Sequence, residues 1–138
     1  MTEKDLCTLA LQAMKRAYAP YSGYTVGAAL LTASGKVYCG CNIENASYTP
    51  TVCAERTAVF KAVSEGKREF SMLAVAGGKD GRVQGGFPPC GVCRQVLAEF
   101  CSPDFPILVV KEDGSWERYI LSELLPAAFG PSHVQNSF

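Results

Sequence analysis

The sequence predicts an α/β fold, a three-layer α/β/α arrangement in which helices pack on both faces of a mixed five-stranded sheet. Three observations predict it. Apolar residues recur at helical spacing in three segments, strand-like apolar runs lie between them, and turn-forming residues separate the two kinds. The resulting order is helix, two strands, helix, strand, helix, two strands, a pattern that buries every apolar face when helices cover a sheet. At 138 residues the chain has the length of one domain, and residues 1–138 are read as a single unit.

From Glu3 to Ala19, the residues Leu6, Leu9, Ala10, Ala13, Met14 and Ala17 step by threes and fours, so the spacing predicts an amphipathic helix that Pro20 and Gly23 break. Thr25 to Thr32 and Val37 to Ile43 flank the turn Ser34-Gly35-Lys36 and read as a hairpin. Glu44 to Thr51 is polar, contains Pro50 and reads as a loop. Val52 to Glu65 returns to helical spacing and stops at Gly66. Phe70 to Ala76 reads as a buried strand, Gly77 to Pro89 as a long glycine-rich surface loop, and Cys90 to Cys101 as a third helix. Ile107 to Val110 and Trp116 to Leu121, joined by the turn signal Asp113-Gly114, form the last two strands, and Ser122 to Leu125 a short helix.

Thirteen Lys and Arg balance thirteen Asp and Glu. Without a net positive field or a basic run, tracking along a nucleic acid is not expected. No window reaches the roughly 18 consecutive apolar residues that span a bilayer, and the opening Met1 to Asp5 lacks the cationic start of a signal peptide. No membrane partner and a cytoplasmic location are expected. Seven cysteines are many for this length, and in a reducing compartment they point to metal or thiol chemistry before disulfides.

Two groups concentrate that chemistry: Cys53-Ala54-Glu55 and Pro89-Cys90-Gly91-Val92-Cys93, each where a loop enters a helix. Cys90 and Cys93 project to one side of a first helical turn, and Cys53 can add a third thiolate. Three protein ligands leave one tetrahedral position open, the layout of a catalytic zinc site. Helix starts offer free N–H groups and a positive end that offset the charge of three thiolates, and Arg56 and Arg94, each close behind a ligand group, can add to this. Arg56 is expected to temper the cluster. Glu55, two residues from Cys53, is placed to carry protons to and from an activated water.

Plainer readings compete. Cys90 and Cys93 could form a thioredoxin-like redox pair, and Cys39, Cys41, Cys90 and Cys93 could close a structural four-cysteine site. Cys7 and Cys101 read as small buried residues within helices, as do Cys39 and Cys41 within a strand; the one histidine, His133, reads as solvent-facing or structural. The conjunction of a ligand, a nearby Glu and Pro-Cys-x-x-Cys matches the zinc deaminase signature, with Cys53 in place of its histidine.

Five stretches carry a wider likeness: residues 21–30, Gly40-Cys41-Asn42-Ile43-Glu44-Asn45-Ala46, Cys53 to Ala58, Pro89 to Gln95, and Leu124-Leu125-Pro126 with Phe129-Gly130-Pro131. Through them, from the first helix to about Pro131, the chain resembles the small cytidine deaminase family. The resemblance implies one Zn²⁺ per subunit on Cys53, Cys90 and Cys93, and Glu55 as proton shuttle. It implies hydrolytic deamination of cytidine and 2′-deoxycytidine to uridine and 2′-deoxyuridine, with release of ammonia, in pyrimidine salvage. Asn42 and Glu44 would hold the ribose 3′-hydroxyl, a pair that suits a sugar because Asn both donates and accepts while Glu accepts. Backbone groups at Ala54 and in the Pro88 to Cys90 loop would read the cytosine edge, with Tyr24 and Phe129 as aromatic walls. The usual family residue at position 24 is Phe. The resemblance further implies a homotetramer in which tail residues such as Phe129 reach a neighbouring subunit's site, so that active sites are shared.

Overall fold

The computed structural model describes residues 1–135. Its first helix, α1 (Glu3–Met14), starts at a reciprocal cap, in which the Thr2 hydroxyl accepts from Asp5 N and the Asp5 carboxylate accepts from Thr2 N. It stops well before the predicted Ala19. Tyr18 is drawn instead into a parallel bridge with Ile43, donating from its N–H to Asn42 O and accepting at its carbonyl from Glu44 N.

Strands β1 (Tyr24–Thr32) and β2 (Val37–Cys41) form the expected antiparallel hairpin. Ile43 lies outside β2 because it bridges Tyr18 on one side and Val52 on the other. That second bridge also keeps Val52 out of the following helix, so α2 runs over Ala54–Ser64 with Cys53 as its N-cap. Strand β3 (Phe70–Lys79) continues past Ala76, where a loop is predicted. Gly77 and Gly78 pair with Val26 and Thr25, and Gly78 is required there: a Cβ would lie 1.8 Å from Arg82 O as the chain folds back.

Helix α3 (Gly91–Phe100) is capped by Cys90 and ends with Cys101 as its C-cap, so Cys101 borders the helix. Strands β4 (Pro106–Val110) and β5 (Trp116–Ile120) follow, then two short helices, α4 (Leu121–Leu124) and α5 (Ser132–Gln135), the last without a counterpart in the sequence reading.

The strands lie in the order β2-β1-β3-β4-β5. Only β3 and β4 run parallel, so the sheet is mixed, as expected. Because side chains alternate across a strand, Ala28, Leu30, Leu73, Val75, Ile107 and Val109 pack against α2 and α3. Their neighbours Ala29, Ala74, Ala76, Leu108 and Val110 meet Leu6, Cys7, Ala10 and Met14 of α1 on the other face. That is the predicted three-layer arrangement. Among the described residues no helix is long and apolar enough to cross a membrane.

Candidate active site

Side by side on one face of the sheet, α2 and α3 bring their N-termini together. Cys53 and Cys90 are the N-cap residues of these helices, and neither side chain caps its own helix. Both sulfurs are therefore free to face outward at positive helix ends. Cys53 Sγ lies 3.6 Å from Cys90 Sγ, and Cys90 Sγ lies 3.5 Å from Cys93 Sγ. All three sulfurs fall within 4.8 Å of one another. Tetrahedral zinc with Zn–S bonds of about 2.3 Å needs sulfurs about 3.8 Å apart, so the trio fits one zinc ion.

Hydrogen bonding polarises the trio. A bond from Cys93, followed in weight by those from Arg56 and Cys90, lowers the pKa of Cys53, whereas donation to Cys53 and burial raise that of Cys93. Arg56 Nη2 donates to Cys53 Sγ at 3.4 Å. Burial disfavours the Arg56 charge, but its bonds to Cys53 and Cys93 outweigh this and leave its pKa raised. Arg94 behaves otherwise, contrary to expectation. Its Nε donates to Pro89 O at 2.6 Å and its Nη1 to Leu124 O at 2.7 Å, so it braces the ligand loop against α4 and spends no bond on the sulfurs.

Glu55 stands in the first turn of α2 and is 3% exposed. Its Oε1 is buried without a hydrogen-bond partner. Such an atom in a native fold requires an explanation, and here its carboxylate lies close enough to Cys53 and Cys93 to interact with their charge. Burial pushes its pKa up to about 7, and the charge at Cys53 adds to the shift.

Gly40 sets how closely α2 approaches the sheet: a Cβ there would lie 2.5 Å from both Ala54 O and Ala58 N. Gly40→Ala is expected to push the first turn of α2 outward, costing about 1–3 kcal/mol and lowering zinc occupancy. Thermal unfolding with metal analysis checks this, and an unchanged midpoint would show that the helix yields without cost.

Tyr24, Asn42 and Glu44 gather around the start of β1. Asn42 Oδ1 accepts from Val26 N at 2.8 Å and its Nδ2 donates to Tyr24 O at 2.7 Å, which leaves one N–H and one lone pair for a ligand. Glu44 Oε1 accepts from the N–H groups of Tyr21 and Ser22 at 2.9 and 3.1 Å, and Ser22 Oγ donates to its Oε2. The bond from Ser22 leads the interactions that hold this carboxyl below the usual range. A cavity of about 350 Å³ lined by Tyr21, Ser22, Glu44, Tyr48 and Thr51 opens beside it. The Tyr24 ring stacks on Phe87, with centroids 5.7 Å apart, and carries Lys79 Nζ 4.9 Å from its centroid. Ala54 is fully buried at the start of α2. Phe129 is not brought to Tyr24 by its ring contact or its hydrogen bond, which are to His133 and Gln95, and it is 61% exposed.

Ser22, Lys79, Phe87 and Gln95 escape the sequence reading. Ser22 lies within a matching stretch but has no chemistry of its own until Glu44 folds onto it, and Phe87 sits in a glycine-rich segment without periodicity. The four-cysteine reading is set aside. Cys39 and Cys41 lie apart, half-buried in β2 beside a cleft that Arg16 and Lys61 also line, and the one three-ligand cluster among the described residues is Cys53, Cys90 and Cys93. A simple redox pair does not account for Cys53 at 3.6 Å from Cys90.

The family model described as "Cytidine and deoxycytidylate deaminase zinc-binding region" matches residues 1–109. The cytidine deaminase of Sporosarcina psychrophila is 48% identical over 94% of this chain and 92% of its own length. That of Halalkalibacterium halodurans is 49% identical over 94% and 95%. A crystal structure of cytidine deaminase from Burkholderia pseudomallei superposes with a TM-score of 0.86 at 45% identity, covering 94% of this chain and all of that one. Likeness of this extent, on a fold that closes three thiols and a buried carboxylate into one site, means that the chain belongs to the zinc-binding cytidine deaminase family.

Proposed function

We propose that this chain, as a cytidine deaminase, converts both cytidine and 2′-deoxycytidine to uridine and 2′-deoxyuridine with release of ammonia, and serves pyrimidine salvage in the cytoplasm. The observation that carries the reading is Glu55, a buried carboxylate with an unpartnered oxygen beside three clustered thiols.

Cys53, Cys90 and Cys93 would hold the zinc. When bound, the ion supplies Lewis acidity that brings the pKa of water down to about 7. Glu55 takes the proton of the attacking water at Oε1 and gives it to cytosine N3, then takes the proton of the hydroxyl added at C4 and gives it to the departing amino group. A carboxyl raised to about 7 suits both directions of that shuttle, because it gives and accepts protons with nearly equal ease at neutral pH. Arg56 draws charge from Cys53 and so limits the electron donation of three sulfurs.

Asn42 and Glu44 orient the sugar through its 3′-hydroxyl, which ribose and deoxyribose share; this supports acceptance of both nucleosides. Glu44 is already fixed by Tyr21 and Ser22, so it meets the hydroxyl without further ordering. Backbone groups at Ala54 and Pro88 to Cys90 read the base edge, and Tyr24, backed by Phe87, forms one aromatic wall. Phe129, exposed on its tail, forms the other wall in a neighbouring subunit, within a homotetramer of single-domain chains.

Glu44→Ala is expected to raise KM for cytidine about tenfold or more with kcat little changed, since a charge-assisted hydrogen bond of about 1.5–3 kcal/mol is lost from binding. Steady-state kinetics checks it, and an unaltered KM would remove the sugar role. Assay of both nucleosides tests the substrate range: comparable kcat/KM values are expected, and a loss of two orders of magnitude for 2′-deoxycytidine would contradict it. Sedimentation of an active monomer would contradict the shared site.

A further inference from the structure

The C-terminal tail holds a set of contacts that neither the thiol cluster nor the sugar loop uses. Gln95 Nε2, on α3 just after Cys93, donates to Phe129 O at 2.8 Å. The His133 ring stacks on the Phe129 ring, with centroids 5.2 Å apart and planes 16° from parallel. Gly130 N–H donates to His133 Nδ1 at 3.1 Å. That bond makes Nδ1 an acceptor and places the proton of the neutral imidazole on Nε2.

An exposed phenylalanine on an irregular tail would otherwise hop among staggered rotamers. Here the backbone of Phe129 is pinned to α3, and one ring face is covered by an imidazole that is itself tethered to the next residue's N–H. Only the opposite face stays free for stacking. Fixing a ring before it binds spares the ordering cost of an immobilised side chain.

We propose that His133 is a positioning residue for the nucleoside: it braces Phe129 so that the ring's free face meets the pyrimidine, while Gln95 fastens the tail to the helix that carries Cys90 and Cys93. This rests on the reading of Phe129 as a base wall. His133 touches no reacting atom, so its effect belongs to KM and leaves the proton chemistry at Glu55 alone.

The test is a double-mutant cycle in steady-state kinetics, with sedimentation of each variant. His133→Ala is expected to raise KM for cytidine about three- to tenfold, with kcat within about twofold and the assembly unchanged. His133→Phe keeps the stack without the acceptor, and His133→Asn keeps an acceptor without the ring face, so each is expected to recover part of the loss. In the Phe129→Ala background, His133→Ala is expected to add nothing. The brace is overturned, with the wall intact, if Phe129→Ala raises KM while His133→Ala does not, if the two effects multiply, or if His133→Ala acts only by dissociating the oligomer. An unchanged KM in Phe129→Ala overturns the wall itself and the brace with it, a separate signature.

Discussion

Glu55→Ala is expected to keep its zinc and to lose about 10²- to 10⁴-fold in turnover, the span attributed to a positioned general acid–base. The retained zinc follows from geometry: the ligand sulfurs sit at the N-caps of two helices and in the first turn of α3, and none depends on the Glu55 side chain for its position. The lost turnover follows from burial. Glu55 is 3% exposed with an unpartnered Oε1, so bulk water is poorly placed to replace it as a proton carrier. Glu55→Gln keeps the volume without a titratable proton and separates lost packing from lost chemistry. Metal analysis beside stopped-time assays checks both variants, and turnover within tenfold of the parent would rule the shuttle out.

Cys53→Ala is expected to have the largest effect of any single change, with zinc falling to under about a tenth of an ion per chain and turnover falling about 10⁴-fold or more, because two remaining thiolates do not make a tight tetrahedral site. It also strips Arg56 of its bond to the Cys53 sulfur and leaves it only the one to Cys93, for a guanidinium whose Nε is already buried without a partner. Fold stability should drop as well, since metal binding to the native chain alone adds to its stability. Cys7→Ala is the control. Cys7 is 1% exposed in the α1 layer, remote from the cluster, and is expected to keep its zinc and activity at a modest cost in stability. Equal zinc content in Cys53→Ala and Cys7→Ala would return the site to Cys90 and Cys93 alone.

The layers of the fold were legible because apolar spacing records which face each residue buries. Ala28 and Leu30 against Ala29, or Leu73 and Val75 against Ala74, sort to opposite faces as a two-residue period requires. Boundaries were less legible where a distant partner decides them. Tyr18, Ile43 and Val52 each carry side chains compatible with a neighbouring element, yet the bridges among them end α1 early, shorten β2 and delay α2. Gly77 and Gly78 read as loop by composition and serve as strand, since a Cβ at Gly78 would run into the Arg82 backbone and one at Gly77 into the Phe87 ring.

At the site, Cys90 and Cys93 were legible as a pair because a three-residue step puts both sulfurs on one side of a helix start. Cys53 and Glu55, two apart, stood out instead by residue type and by their place where a loop enters a helix. The convergence of the two groups was not legible, since it depends on how closely Gly40 lets α2 settle on the sheet. Arg94 shows the limit of proximity in sequence: it follows a ligand directly, yet the carbonyl oxygens of Pro89 and Leu124 take its donors. His133 reads alone as a surface residue, and only the fold discloses its stack on Phe129.

The most direct measurement is zinc per chain followed alongside cytidine loss, by absorbance, while a chelator withdraws the metal. One zinc per chain at full activity is predicted, with activity falling in proportion as the ion leaves and returning when zinc is restored. Full activity in metal-free protein would contradict the account.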